Sequence, residues 1–173
     1  MSRRRPFVAG NWKMNLNRAG ALTLARAVRE HAASRAAVDC AVLPPFVYLA
    51  EVAAALSGSR VRAGAQDLWT EKKGAFTGEI SSEMIRDCGA SLALVGHSER
   101  RHVIGEGDDL VARKLRAALD GGIEAILCVG ERLEEREGGS TETVLERQFR
   151  AAFKSLAAAE FPRVTIAYEP VWA

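Results

Sequence analysis

The sequence predicts an α/β protein in which a parallel sheet is covered by helices. Six short apolar runs alternate with amphipathic stretches along the 173 residues, and no two runs are adjacent. Polar residues follow runs one, four, five and six where each run ends. A closed barrel brings such ends to one mouth, whereas an open dinucleotide-binding sheet should show G-x-G-x-x-G early, and no such motif follows the first run. We therefore favour a barrel over an open doubly wound sheet.

The six runs are predicted to be strands because each is short, apolar and ended by glycine, proline or a polar residue. They are 7–11, 40–43, 61–65, 92–96, 125–130 and a final run that begins at Val164. The final run has the β-branched and apolar composition of a buried parallel strand. Pro170 has no N–H to give to a sheet, so we expect the strand to stop before it and Glu169 to face a crevice.

The stretches between the runs carry apolar residues at helical spacing. Their predicted inner faces are Leu22, Ala25, Val28 and Ala32; Leu49, Val52, Ala53 and Leu56; Met84, Ile85 and Cys88; Val111, Leu115 and Ala118; and Leu145, Phe149, Ala152, Phe153 and Leu156. Ser81 or Ser82 can cap the third helix, and Ser140 or Thr141 can cap the last. The charged stretch 131–137 is predicted to be a solvated turn of helix.

The apolar residues from Gln66 to Ser81 have neither helical nor strand spacing, so this segment is predicted to be a long loop. Trp69 and Phe76 are large aromatic residues in the loop, and their exposure would create an apolar patch. We therefore expect the loop to contact another protein, although a free surface excursion is the simpler alternative.

Composition argues against several classes of function. The 24 lysines and arginines nearly balance the 22 acidic residues, and the basic run 3–5 is short and terminal, so we expect no nucleic-acid partner. The sequence has neither an apolar stretch that could span a bilayer nor a signal-peptide core, so we expect a cytoplasmic protein without membrane contact. Cys40, Cys88 and Cys128 lack C-x-x-C spacing, and we expect reduced thiols and no metal site.

Five motifs occur in one order along the chain. They are Gly10-Asn11-Trp12-Lys13-Met14-Asn15, Gly74-Ala75-Phe76-Thr77-Gly78-Glu79, Val95-Gly96-His97-Ser98-Glu99-Arg100-Arg101, Cys128-Val129-Gly130-Glu131 and Tyr168-Glu169-Pro170-Val171-Trp172-Ala173. In these motifs, and along its whole length, the chain resembles the triosephosphate isomerase family. The resemblance implies a TIM (β/α)8 barrel and a homodimer. It also implies that dihydroxyacetone phosphate and D-glyceraldehyde 3-phosphate are interconverted through an enediolate, in glycolysis and gluconeogenesis, without a cofactor.

The resemblance also implies catalytic roles for four residues. Glu169 would be the base at carbon, which its position at a strand end also favours, and His97 would polarise the carbonyl as a neutral imidazole. Lys13 would supply positive charge to the phosphate and the oxyanion, and Asn11 would donate an amide N–H while orienting Lys13. Glu99 matches a position beside the lysine, where it would pair with Lys13, relay protons or form an ordinary salt bridge.

Two further groups of residues follow from the same resemblance. Ser98 and Cys128 are placed as supporting residues, and Cys128 is given a packing role because no base is paired with it. The homodimer contact is expected through the loop 66–81. Its contact residues would be Trp69, Phe76, Thr77, Gly78 and Glu79, with Thr77 reaching the partner subunit's site.

The chain departs from the family in length. A barrel of this type has eight βα units in about 250 residues, and this sequence covers roughly the first six. We expect residues 1–173 to be one domain, the N-terminal three quarters of the barrel, and to need a separate C-terminal piece for activity. An inactive fragment or a non-catalytic assembly module of the same fold stays open. Another phosphate-binding barrel, such as an aldolase, is disfavoured because no lysine ends the sixth run.

Overall fold

All six predicted strands are present in the computed structural model, which describes residues 5–172. Arg3 and Arg4 of the basic run, and Ala173 of the last motif, lie outside the described residues. The strands are β1 Phe7–Asn11, β2 Asp39–Leu43, β3 Val61–Ala65, β4 Leu92–Val95, β5 Glu124–Val129 and β6 Val164–Tyr168. Their neighbour order follows the chain, and β1–β2, β2–β3, β3–β4 and β5–β6 pair in parallel.

Helices connect the strands, as parallel pairing requires. The α-helices are α1 Arg18–Ala33, α2 Phe46–Leu56, α3 Ser82–Asp87, α4 Asp108–Asp120, α5 Leu133–Glu137 and α6 Thr141–Phe153. A π-helical turn spans Arg100–Ile104, and a 3-10 helix spans Ala158–Arg163. The predicted alternation of strands and helices is therefore confirmed. No helix among residues 5–172 is both long and apolar enough to cross a membrane.

The described residues divide into two compact units, 5–66 with 83–93 and 67–82 with 94–172. In the first unit, α1 packs on α2, and both helices contact β3. Its core includes Ala25, Leu43, Leu49, Val52 and Leu56. In the second unit, α4 and α6 pack beside β5. Its core includes Val95, Val111, Leu115, Ile123 and Leu127. The prediction that residues 1–173 form one domain therefore stays a prediction.

The predicted inner face of α6 is correct at Ala152 and wrong at Phe149. The buried residues are Val144, Gln148 and Ala152, whereas Phe149 is 42% exposed. The real buried stripe therefore contains a glutamine, and the exposed aromatic ring stacks on Phe153 with ring centroids 4.2 Å apart. A search for apolar residues alone therefore misses Gln148, which lies on the buried face of this helix.

The prediction of a solvated turn over 131–137 is wrong at its first residue. Glu131 is fully buried, and only the following residues form the short, largely exposed helix α5. Burial of this carboxylate is possible because Tyr168 and Trp172, far from it in the sequence, donate hydrogen bonds to it.

Two further expectations about burial need correction. Trp69 is half-buried and not exposed, while Phe76 in the same loop is 38% exposed. The centroids of these two rings are 5.7 Å apart. The sixth strand is not a buried strand in this chain, because Ile166 is 42% exposed and Tyr168 is 50% exposed.

Candidate active site

In the first unit, the end of β1 places Asn11 and Lys13 in one short turn. The Lys13 N–H donates to Asn11 Oδ1 at 3.0 Å, so the Asn11 side chain holds the Lys13 backbone. Lys13 has φ of 52°, in the left-handed region that side chains other than glycine rarely adopt. Gln66, directly after β3, donates from Nε2 to Lys13 O at 2.9 Å and to Leu43 O at 2.8 Å. Side-chain hydrogen bonds thus hold a strained backbone in place.

In the second unit, the polar cluster after β4 begins with a sharp turn. Gly96 has φ of 72°, and a side chain there would collide with Arg101 and Val111. His97 follows and is only 8% exposed, with its carbonyl accepting from the N–H groups of Arg100 and Arg101. The turn after β4 therefore fixes the backbone of His97, and its ring lies beside Glu169, directly after β6.

The ring nitrogens of His97 have different neighbours. Nδ1 lies 3.3 Å from the Glu99 backbone N, a contact that fits a neutral ring with its lone pair on Nδ1 and its proton on Nε2. The Glu99 carboxylate lies 3.6 Å from Nδ1, beyond hydrogen-bond distance. Nε2 lies 3.4 Å from Oε1 of Glu169. This imidazole therefore presents an N–H donor towards the glutamate.

Glu169 follows the last residue of β6, as the sequence predicts, and its side chain is 33% exposed. Ser98 Oγ donates to Glu169 Oε1 at 2.8 Å, and the Ser98 N–H lies 3.4 Å from Oε2. The Glu169 N–H donates to Val129 O at 2.8 Å, which extends the ladder one residue past β6. The structure therefore brings together His97, Ser98 and Glu169 in one cluster.

Cys128 lies beside this cluster in β5 and is buried. Burial, followed by the nearby charge of Glu169, raises the pKa of the Cys128 thiol to about 12. A thiol with so high a pKa is a poor nucleophile, which agrees with the packing role expected for it. Arg101, also buried, donates to Gly96 O, to Cys128 O and to Asp108, and so ties β4 and β5 to α4.

Glu131 is a buried carboxylate beside the segment that contains Glu169. It accepts from Tyr168 Oη and from Trp172 Nε1, each at 3.1 Å, and from Arg136 at 3.3 Å. Burial alone would raise the pKa of Glu131, but hydrogen bonds from Trp172, its own backbone N–H, Tyr168 and Arg136 hold it below its ordinary value. The carboxylate therefore stays charged and anchors the residues on both sides of Glu169.

The loop 66–81 is anchored at its start by buried charges. Lys114 in α4 is fully buried and donates to both oxygens of Asp67, at 2.8 and 2.6 Å, and to Glu106 at 2.6 Å. Arg100 joins the same group through Glu106 at 2.7 Å. Beyond this anchor the loop is exposed at Thr77 and Gly78, while Glu79 is half-buried.

Sequence reasoning missed several residues that shape these clusters. They are Gln66, Lys114, Glu131 and Gln148. One signal was readable for Lys114, because it occupies a position on the apolar stripe of α4 between Val111 and Ala118. A charged residue on such a stripe needs buried partners. Within residues 5–172, no group of three or more His, Cys, Asp or Glu side chains has the arrangement of a metal site.

Comparison with known proteins agrees with the motifs. A family model described as triosephosphate isomerase matches residues 6–173. A triosephosphate isomerase of Rhodopirellula baltica is 46% identical over 170 residues, covering 98% of this chain and 67% of that protein. Two further proteins of the same name are similar to this chain. The one from Carboxydothermus hydrogenoformans is 46% identical and covers 98% of this chain and 68% of its own length. The one from Treponema denticola is 46% identical and covers 96% of this chain and 66% of its own length.

These matches and the six parallel strands confirm the predicted fold class, an α/β fold of the TIM (β/α)8 type covering about six βα units. The chain belongs to the triosephosphate isomerase family.

Proposed function

We propose that this chain carries the catalytic residues of a triosephosphate isomerase, which interconverts dihydroxyacetone phosphate and D-glyceraldehyde 3-phosphate by proton transfer through an enediolate. The observation that supports this most is the approach of His97 Nε2 to the Glu169 carboxylate, 3.4 Å apart where β4 and β6 end. Moving a proton between adjacent carbons requires a carboxylate base and an N–H donor that lie close together.

Glu169 is the base in this proposal. Its carboxylate takes the proton from one carbon of the substrate and returns it to the neighbouring carbon. In the resting arrangement Ser98 Oγ holds the carboxylate at 2.8 Å, so the substrate competes with Ser98 for it. His97 donates its Nε2 proton as a hydrogen bond to the substrate oxygen and so stabilises the negative charge of the enediolate. The lone pair on Nδ1, which faces the Glu99 N–H, keeps the donor on the substrate side.

Lys13 and Asn11 supply the remaining chemistry in this proposal. A fixed cation is needed for the phosphate and the developing oxyanion, and an amide N–H adds a neutral donor. The hydrogen bonds from the Lys13 N–H to Asn11 and from Gln66 to Lys13 O support a positioned lysine. Glu99 remains a candidate for pairing with Lys13 or for proton relay.

Assembly and location belong to the same proposal. The chain spans 67% of the length of the Rhodopirellula baltica relative, and we propose that activity also requires a polypeptide equivalent to the rest of such a relative. The homodimer through the loop 66–81 and a cytoplasmic location are further parts of the proposal. The partly exposed Phe76, packed against Trp69, supports the dimer contact. We call the form with isomerase activity, either the chain alone or the chain with that polypeptide, the active preparation.

Replacement of the base tests the proposal. Glu169→Gln keeps the shape of the side chain and removes the proton acceptor, so kcat should fall by about 10²- to 10⁴-fold in the active preparation. Glu142→Gln is the matched control, because Glu142 is an exposed glutamate of α6. Steady-state kinetics with glyceraldehyde 3-phosphate measures both. Retention of most of the turnover by Glu169→Gln would rule out this glutamate as the base.

A further inference from the structure

Gln148 makes an unusual pair of hydrogen bonds with one residue. It lies on the buried face of α6 and is 3% exposed. Its Oε1 accepts the Gly130 N–H at 2.9 Å, and its Nε2 donates to Gly130 O at 3.0 Å. Gly130 comes directly after β5, so its buried N–H and C=O need partners from outside the strand. An amide side chain fits this position because it offers one acceptor and one donor together.

Gly130 in turn touches the backbone of Glu169. A Cβ atom at Gly130 would lie 1.8 Å from Glu169 O and 2.7 Å from the Glu169 carbonyl carbon. No side chain fits there, so the two backbones are in direct contact. Hydrogen bonds flank this contact, from the Glu169 N–H to Val129 O at 2.8 Å and from the Val171 N–H to Glu131 O at 3.1 Å. Val129, Gly130 and Glu131 therefore hold the backbone around Glu169, and Gln148 holds Gly130, the middle one of the three.

We propose that Gln148 is a positioning residue that sets the place of the Glu169 carboxylate by clamping Gly130. This rests on the proposed function of Glu169 as the base. Proton transfer from carbon is sensitive to the placement of the base, and a displacement of about 1 Å costs about 10²-fold in rate. Without the amide, Gly130 can rotate its peptide groups towards other partners, and the contact with Glu169 changes with it.

The other buried residues of α6 show why filling space does not explain this glutamine. Val144 and Ala152 are apolar and contribute to the core by burial alone. A buried amide contributes less from burial and costs free energy unless both its donor and its acceptor are paired. Gln148 pairs both with Gly130, which gives this position a role that an apolar residue of the same size does not fill.

Gln148→Met tests the positioning role, since methionine has a similar length and volume but can clamp neither group. In the active preparation, kcat should fall by about 10- to 100-fold with KM changed by less than about threefold, because the base is displaced while substrate binding groups stay. Val144→Ala is the control, because it disturbs the same helix face by leaving a cavity. It should lower the thermal unfolding temperature without lowering kcat. A Gln148→Met variant with kcat within about twofold of the unmodified protein would overturn the proposal.

Gln148→Glu adds a readout that a purely structural role would not move. A protonated carboxyl has one acceptor and one O–H donor, and so it can clamp Gly130 as the amide does. An ionised carboxylate has no donor for Gly130 O. Turnover of this variant should therefore fall as pH rises through an ionisation that is absent from the unmodified protein and from Gln148→Met. A pH profile parallel to that of Gln148→Met would contradict the proposal.

The double variant separates this proposal from the proposed function. If Glu169 is the base and Gln148 acts through it, adding Gln148→Met to Glu169→Gln should cause little further loss of kcat. A full multiplicative loss would show that Gln148 acts elsewhere and would overturn the positioning role alone. High turnover of Glu169→Gln by itself would overturn the base assignment, and the positioning role with it.

Discussion

At the scale of single residues, Lys13 combines a proposed catalytic role with a strained backbone. Its φ of 52° costs on the order of 1–3 kcal/mol for a residue with a side chain. Asn11 and Gln66 offset this cost by bonding the N–H and the C=O of Lys13. Strain of this kind persists where the surroundings determine the conformation, and here those surroundings fix the path of the chain that presents the ammonium group.

Lys13→Met should weaken both binding and turnover. Methionine keeps much of the length of the side chain and removes the cation, so KM should rise and kcat should fall, together lowering kcat/KM by at least about 10²-fold. Lys154→Met, at an exposed lysine near the end of α6, is the matched control and should behave as the unmodified protein. Kinetics in the active preparation decides: unchanged KM and unchanged kcat would exclude the charge role of Lys13.

At the scale of elements, the loop 66–81 has a rigid start and an exposed tip. The buried ion pairs of Lys114 with Asp67 and Glu106 fix its first residues. Burial raises the pKa of Asp67, while Lys114 and then Arg100 act in the opposite direction. A loop held at its base can present Thr77 in one orientation, which suits a contact with a second copy of the chain.

Thr77→Arg should prevent the proposed dimer, because a long cation at the tip of the loop would be buried without a partner. The expected product is a monomer with poor isomerase activity. Thr143→Arg places the same change at an exposed threonine of α6 and should leave the dimer intact. Sedimentation velocity at micromolar concentration measures both. A dimeric Thr77→Arg variant, or a monomeric unmodified protein, would count against the loop as the interface.

The contact between α4 and the 3-10 helix predicts a dependence of stability on pH. Arg116 donates to both oxygens of Glu160, at 2.9 and 2.6 Å. This pairing, followed by the Ala157 N–H, lowers the pKa of Glu160 from 4.5 to about 2. Because the pKa is lower in the folded state, the contribution is present above pH 4.5 and is lost as pH falls towards about 2.

Glu160→Gln should therefore reduce the loss of unfolding free energy between pH 4.5 and about 2. Glutamine cannot be protonated in this range, so the variant is less stable at neutral pH and less sensitive to acid. Glu142→Gln should keep the acid sensitivity of the unmodified protein. Urea unfolding at a series of pH values tests this, and equal slopes for Glu160→Gln and the unmodified protein would refute the linkage.

The elements also show where sequence reasoning succeeds and fails. Strand positions were predictable because short apolar runs between turn residues depend on local sequence, and β1 and β3 have the predicted bounds. The complete buried face of α6 is not predictable in this way, because Gln148 faces inwards and bonds to Gly130, a partner 18 residues away. The burial of Glu131 is not predictable from its neighbours either, because its donors, Tyr168 and Trp172, are 37 and 41 residues away. Buried polar groups are paired by the fold, which local patterns do not encode.

The candidate site also contains residues that the sequence indicates and residues whose role depends on the fold. The proposed reacting groups, His97 and Glu169, are predictable from the sequence because the motifs and the strand ends both indicate them. The residues that hold these groups in place, such as Ser98 through its hydroxyl, act by distances of a few tenths of an ångström. Such distances depend on packing and not on residue type alone.

At the scale of the whole molecule, exposed apolar strand residues bear on the proposed need for a further polypeptide. β6 carries Ile166 and Tyr168 at 42% and 50% exposure. In β1, Val8 is 60% exposed. Strands of a parallel sheet are usually covered on both faces. Covering these residues with the remaining part of a relative would bury apolar surface and so stabilise the fold.

The most direct measurement is the conversion of glyceraldehyde 3-phosphate to dihydroxyacetone phosphate by the purified 173-residue chain, first alone and then with a polypeptide equivalent to the rest of a relative. We expect little turnover from the chain alone, clear turnover from the combination, and loss of that turnover when the chain carries Glu169→Gln. Absence of isomerase activity in both forms would contradict the proposed function. Near-normal turnover by the chain alone would contradict the proposed need for the further polypeptide.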